Sequence, residues 1–231
     1  MRNKIIELIN KKENRNSIFL TADMGFSVLE KTKKIFKNFF FNVGVAENNM
    51  LLIACGLQES FARRIYCYSI SPFVTLRTLE VIRNYISNDN RNIRIIGVGS
   101  GVSYAEMGKT HFNFDDINSL YSLKNILILN PANMDELIFL FQKFFKYRKP
   151  IYFRINKFNY ENQFKLKKNG NIYYKKGKSS NLVVSGAVLN HVLKNLKISE
   201  IKKLNIISIP ILSHQYNKNF NKLLNKGKKT V

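Results

Sequence analysis

Residues Ile93–Val98 read IRIIGV, and this stretch decides the fold class. Its apolar residues run on instead of alternating with polar ones, so a strand made from it is buried on both faces. Such a strand belongs to a parallel sheet sandwiched between helices. ILIL, residues 126–129, reads the same way. Outward from these strands the pattern keeps alternating. A helix is expected near 2–13, strands at 18–21 and 39–43, a helix at 45–60, a strand at 65–69 and a helix at 75–87. Beyond residue 98 come strand 126–129, helix 133–147 and strand 151–155. After Pro131 the residues Met134, Leu137, Ile138, Phe141, Phe144 and Phe145 recur at the spacing of one buried helix face.

From Lys157 to Ser180 the chain turns polar, with KKNGN and KKGKSS, and reads as a linker. A second βαβα pattern follows as NLVVSG (181–186), AVLNHVLKNLK (187–197), LNIISIP (204–210), a helix around 216–226 and KKTV. It offers fewer strands than a self-supporting parallel sheet usually has. The expected division is a first α/β domain over 1–156, a linker over 157–180 and a partial second α/β domain over 181–231.

The 231 residues suffice to bury a sizeable core, and the 45% hydrophobic fraction is that of a folded globular chain. No run approaches the roughly 18–20 apolar residues of a membrane span. The start MRNKIIELINKK reads as a charged amphipathic helix, so a cytoplasmic protein is expected. Cys55 and Cys67 lie in apolar surroundings without a CxxC pattern and read as reduced core thiols. The formal net charge is +23, but residues 1–136 hold 17 Lys and Arg against 13 Asp and Glu, whereas residues 137–231 hold 21 against 2. The excess is mostly Lys scattered among Asn, Ile and Phe, a compositional bias without the blocks that mark nucleic-acid modules.

One position breaks the apolar logic. In FNVGVAENNMLLIACGL, residues 41–57, strand formers end at Gly44 and an apolar helix follows, yet Glu47 lies in its first turn. Taken alone, the carboxylate opposes the helix dipole, worth a few tenths to about 1 kcal/mol. Its wider context gives it another meaning. LTADMGFSVLE, NVGVAENNM, SPFVTLRTLEVIRN, GKTHFNFDDI and IYFRINK occur between residues 20 and 157 in the order and spacing of the pyrimidine-binding domain of transketolases. Each motif alone is weak; together they are specific. The chain resembles the C-terminal subunit of a split transketolase, well over residues 1–155 and more weakly beyond.

That resemblance implies thiamine diphosphate as cofactor, with Glu47 bonded to a ring nitrogen of its aminopyrimidine and so favouring removal of the thiazolium proton. Phe73 falls where the family stacks an aromatic on the pyrimidine, with Ile70 and Leu76 at neighbouring wall positions where core roles are equally open. Asp23 falls beside the thiazolium side. His111 matches a histidine that assists proton movement or holds substrate hydroxyls, tasks suited to a pKa near roughly 6.5. His191 and His214 lack such context and read as structural. Arg2, Ser27 and Arg154 match contacts to a sugar phosphate, although Arg2 also reads as a terminal charge and Ser27 as a helix cap. Gly99 and Met107 depart from the family, which has a histidine and an aspartate there, so the usual pentose-phosphate substrates are in doubt.

The family holds Mg²⁺ and the diphosphate through a GDG-plus-Asn motif, and no GDG occurs here. No metal site is therefore expected on this chain, and the resemblance implies a GDG-bearing N-terminal transketolase partner, in a heterotetramer inactive without it. The expected activity is transfer of a two-carbon ketol unit between sugars or sugar phosphates. TLRTLEVIRN and GKTH favour this over the beta subunit of a 2-oxo-acid dehydrogenase. An inactive relic, suggested by the short C-terminal unit, and a basic nucleic-acid-binding protein complete the alternatives.

Overall fold

The computed structural model describes residues 1–12, 16–123, 125–157, 167–169, 172–213, 216 and 222–231. Helix α1 (Arg2–Lys12) leads into β1 (Ser17–Thr21), α2 (Glu30–Phe36), β2 (Phe40–Asn42), α3 (Glu47–Phe61) and β3 (Arg64–Ile70). Next come α4 (Ser71–Thr75), α5 (Leu79–Val81) with a π-helical continuation over Ile82–Ser87, and β4 (Ile93–Val98). Then follow α6 (Asp116–Tyr121), β5 (Leu127–Leu129), α7 (Met134–Lys143) and β6 (Ile151–Ile155). The remainder holds β7 (Lys167–Asn169), β8 (Ile172–Lys175), β9 (Asn181–Val184), α8 (Val188–Asn195), α9 (Ile198–Lys203), β10 (Asn205–Ser208) and β11 (Ile211–Leu212).

The first sheet has the order β11-β5-β6-β4-β3-β1-β2, with every pairing parallel except that of β11 with β5. All six residues of β4 are buried, including Arg94, whose guanidinium donates to the carbonyls of Phe144, Tyr147 and Lys149. The side chains divide between two cores. Phe19, Tyr66, Ile96 and Phe153 point to the face covered by α1 and α7, while Leu20, Cys67, Ile95 and Tyr152 face α3 and the α4–α5 segment. Burial pushes the Cys55 thiol up to about 11 and Cys67 well above the ordinary thiol value, so both are protonated core groups.

Two stretches differ from the sequence expectation. The helix expected over 75–87 is found as α5 and its π-helical continuation, and a separate short helix, α4, precedes it from Ser71, where Pro72 suits a first helical turn because its missing N–H costs nothing there. The polar stretch read as a linker contains β7 and β8, an antiparallel pair in a second sheet of order β7-β8-β10-β9. A tertiary contact explains part of this, since Tyr173 is buried and meets Phe139 of α7 edge-on at 5.8 Å. The helix expected around 216–226 and His214 fall largely outside the described residues.

The start of α7 joins the two sheets and carries a buried acid. Asn133 Oδ1 accepts the Glu136 N–H at 3.0 Å, and Glu136 Oε2 accepts the Ala132 N–H at 2.7 Å. Glu136 is fully buried, and among the described residues its Oε1 has no hydrogen bond; Ser208 lies near enough to favour the ionised form, but not at bonding geometry. Desolvation outweighs the Ala132 amide, and the carboxyl is pushed up to about 7. With the folded value above the unfolded one, the native state holds the extra proton between them. The contribution of this group is intact below about 4.5 and is lost as pH rises towards 7. Glu136→Gln is therefore expected to change stability little near pH 4.5 and to raise it by up to about 3 kcal/mol at pH 8. Urea midpoints at the two pH values measure this, and an identical shift at both would refute it.

Candidate functional site

Strands β1, β3, β4 and β6 end on one side of the sheet, where open α/β sheets place ligand groups. Gly44, at φ +77, turns the chain out of the β2 edge and into α3, whose first residue is Glu47. This acid is 2% exposed. Its Oε1 accepts from Ser69 Oγ on β3 at 3.0 Å, and its Oε2 accepts from Arg77 Nη1 at 2.8 Å. Arg77 is half exposed, and its guanidinium carbon lies 4.4 Å from the centre of the Phe73 ring. A planar cation thus lies against an aromatic face and a buried carboxylate at once.

His111 meets the Phe73 ring edge-on at 5.0 Å and Tyr104 at 6.4 Å, and its Nδ1 shares a hydrogen bond with Thr110 Oγ1. The structure therefore brings Glu47, Phe73 and His111 into one chain of contacts. Ile70 is buried and Leu76 half-buried on the same β3–α4 segment. Tyr104 lies over Gly99: a Cβ on that glycine, whose φ is +81, would meet the tyrosine ring at 2.0 Å. The ring also carries the Lys157 ammonium at 4.7 Å from its centre. Met107 is exposed.

Arg154 belongs to a different group. Its Nε donates to Asp116 Oδ2 at 2.8 Å and its Nη2 to the Asn113 carbonyl at 3.0 Å. Asp116 is fully buried and also accepts from Tyr152 Oη at 2.6 Å, and burial holds that phenol well above its ordinary pKa. Arg154 lines a cleft of about 360 Å³ between the two sheets, together with Asn130, Ser185 and His191. Asn130 Nδ2 donates to Ser185 Oγ at 3.1 Å. His191 thus faces this cleft with Arg154, although its sequence context gave no sign of it.

Asp23 is exposed at φ +51, its carboxylate accepting from Asn42 Nδ2 at 3.1 Å. Ser27 donates its backbone N–H to Glu30 Oε1 at 2.6 Å, which ties it to the first turn of α2. Arg2 reaches Asn3 and lies close enough to Tyr68 to act on that hydroxyl electrostatically. No hydrogen bond or ion pair among the described residues joins these three to Glu47. Sequence reasoning missed Arg77, Tyr104 and Asp116. Arg77 alone carried a signal: it stands four residues after Phe73, the spacing at which side chains meet on one helical turn. Among the described residues, no cluster of His, Cys, Asp and Glu is arranged to hold a metal ion.

Comparison with known proteins puts this geometry in context. The family model described as "Transketolase, pyrimidine binding domain" matches residues 5–163. A protein described as a transketolase C-terminal section from Methanocaldococcus jannaschii is 29% identical over 215 residues, covering 90% of this chain and 66% of that relative. An apulose-4-phosphate transketolase subunit of Actinobacillus succinogenes is 29% identical over 123 residues, covering 53% of this chain and 39% of the relative. The chain thus spans about two thirds of the first of these relatives and about two fifths of the second. Among solved structures, a split-gene transketolase in an inactive β4 tetramer superposes with a TM-score of 0.72 at 22% identity, over 90% of this chain and 69% of that one. A likeness at that identity establishes the fold.

Proposed function

The chain belongs to the transketolase pyrimidine-binding-domain family, and from that premise we propose that it is the pyrimidine-side subunit of a thiamine-diphosphate-dependent transketolase. The proposed reaction moves a two-carbon ketol unit between sugars or sugar phosphates. One observation carries the reading: Glu47, a buried carboxylate, is joined to the Phe73 ring by the Arg77 guanidinium, which bonds the one and lies over the other. The residues fit an aminopyrimidine, because the Arg77 guanidinium, a flat group with N–H donors, already lies on Phe73 and reaches Glu47.

When bound, thiamine diphosphate supplies a nucleophilic carbon, and the protein supplies orientation and proton handling. Glu47 would hold the proton at a ring nitrogen of the pyrimidine, with Ser69 fixing its other oxygen. Phe73 would orient the ring by dispersion and area burial, with Ile70 and Leu76 as walls. Asp23 would stand on the thiazolium side. His111, braced against Phe73, would hold a substrate hydroxyl or move its proton. Arg154 keeps Nη1 without a hydrogen-bond partner among the described residues and would offer it to a phosphate, with Arg2 and Ser27 as further contacts. Tyr104 fills the space over Gly99, so the substrate end differs in shape and polarity from one carrying a histidine there.

A GDG-bearing partner would hold Mg²⁺ and the diphosphate, in a complex of two copies of each chain. Relatives described as a C-terminal section and as one subunit of a transketolase support this, as does a split-gene neighbour described as an inactive β4 tetramer. Calorimetric titration tests it. Thiamine diphosphate with Mg²⁺ is expected to bind tightly only after this chain is mixed with a GDG-bearing partner. Tight, Mg²⁺-dependent binding by the chain alone would refute the shared site.

A further inference from the structure

We propose that Arg77 is a positioning residue of the pyrimidine half-site, holding the place of the aminopyrimidine ring and keeping the Glu47 carboxylate aimed until that ring displaces it. The inference rests on the pyrimidine-pocket reading above and adds to it a residue that the motifs did not single out. Three features of one contact carry it. The guanidinium is planar and lies 4.4 Å from the centre of Phe73, as a stacked aromatic ring would. Its Nη1 donates to Glu47 Oε2 at 2.8 Å, the hydrogen bond proposed for the cofactor. The side chain is half exposed while its carboxylate partner is nearly fully buried, so the arginine can leave for water and the glutamate cannot.

The physical need is clear. A buried carboxylate without a partner is strongly unfavourable, and Ser69 satisfies only one of the two Glu47 oxygens. Arg77 satisfies the other while the pocket waits. Among the described residues its guanidinium makes no hydrogen bond, ion pair or ring contact beyond those to Glu47 and the Phe73 face. An entering aminopyrimidine would replace both contacts, and Arg77 would swing to solvent on the exposed side of the α4–α5 segment. The site would then exchange an internal cation for a ligand, and Arg77 would lower the affinity of the free chain for any ring that competes with it.

The test uses the purified chain with thiamine, which has the aminopyrimidine but no diphosphate and so needs no partner. Arg77→Ala is expected to bind thiamine at least roughly tenfold more tightly than the unaltered chain, with Arg77→Lys, which keeps the charge but not the flat stack, in between. Circular dichroism confirms that each variant is folded. In the unaltered chain, the ¹⁵N guanidinium resonances of Arg77 are expected to shift on saturation with thiamine, a signature that a purely structural salt bridge would not give. Glu47-dependent thiamine binding that is equal or weaker in Arg77→Ala, or Arg77 resonances that saturation leaves unmoved, overturns the assignment of Arg77 alone. Thiamine binding to Arg77→Ala that is indifferent to a further Glu47→Ala change overturns the pocket reading itself. Absence of thiamine binding in ligand-observed NMR by any of these chains overturns both.

Discussion

Glu47→Ala, in the complex reconstituted with a GDG-bearing partner, is expected to lose turnover by roughly 10²–10⁴-fold, the range of a removed acid–base group. The fold should survive. Arg77, freed of its partner, is already half exposed and reaches water, and the remaining cost is the Ser69 hydroxyl left without an acceptor, about 1–3 kcal/mol. Cofactor affinity should fall far less than turnover, because the partner's metal and diphosphate contacts are untouched. Deuterium exchange at the thiazolium carbon reads the proton step apart from sugar binding. An exchange rate equal to that of the unaltered complex would remove Glu47 from the chemistry.

The second large effect is on stability. Asp116→Ala is expected to destabilise the chain by about 3–5 kcal/mol, the cost of breaking a buried ion pair from one side. The acid is fully buried, and one oxygen gathers Arg154 Nε, Tyr152 Oη and, at 3.4 Å, Ser71 Oγ. Without it the Arg154 guanidinium, whose side chain is 13% exposed, keeps only the Asn113 carbonyl among the described residues. The surroundings cannot collapse cheaply onto the gap. The Tyr152 ring already passes so close to Gly97 that a Cβ there would meet it at 2.7 Å. Urea unfolding measures the loss, and a change below about 1 kcal/mol would mean that Arg154 does not depend on this partner.

What the sequence made legible follows from how far each signal reaches along the chain. Strands β4 and β5 announced themselves because burial on both faces leaves an apolar run, broken in β4 only by Arg94. Helix α7 did so because Leu137, Phe141 and Phe144 recur at the spacing of one face, and all three are buried. Helices α2 and α6 were missed, being only 7 and 6 residues long, too short for a period to repeat. The β7–β8 pair was hidden for another reason: its composition is that of a turn-rich linker, and Tyr173 is buried against Phe139, Leu189 and Ile206, all distant in sequence. The site divides in the same way. Glu47, Phe73 and His111 lie inside motifs, and Arg77 links the first to the other two. The ties of Arg154 to Asp116 and Asn113, and of Tyr104 to Gly99, depend on loops folding back, which no local spacing encodes.

The short strand β11 has a consequence for how the chain is made. Ile211 and Leu212 add to β5 in antiparallel register, closing an edge of the first sheet that is otherwise open. Synthesis runs from the N-terminus, so β5 leaves the ribosome long before the residues that cover it. During that interval its three buried residues, Leu127, Ile128 and Leu129, form an unprotected apolar edge, the kind that pairs with other chains. The C-terminal unit therefore acts as a late clasp on the first sheet, and chains cut short before Ile211 should need a chaperone to stay out of aggregates, whatever their catalytic groups can do.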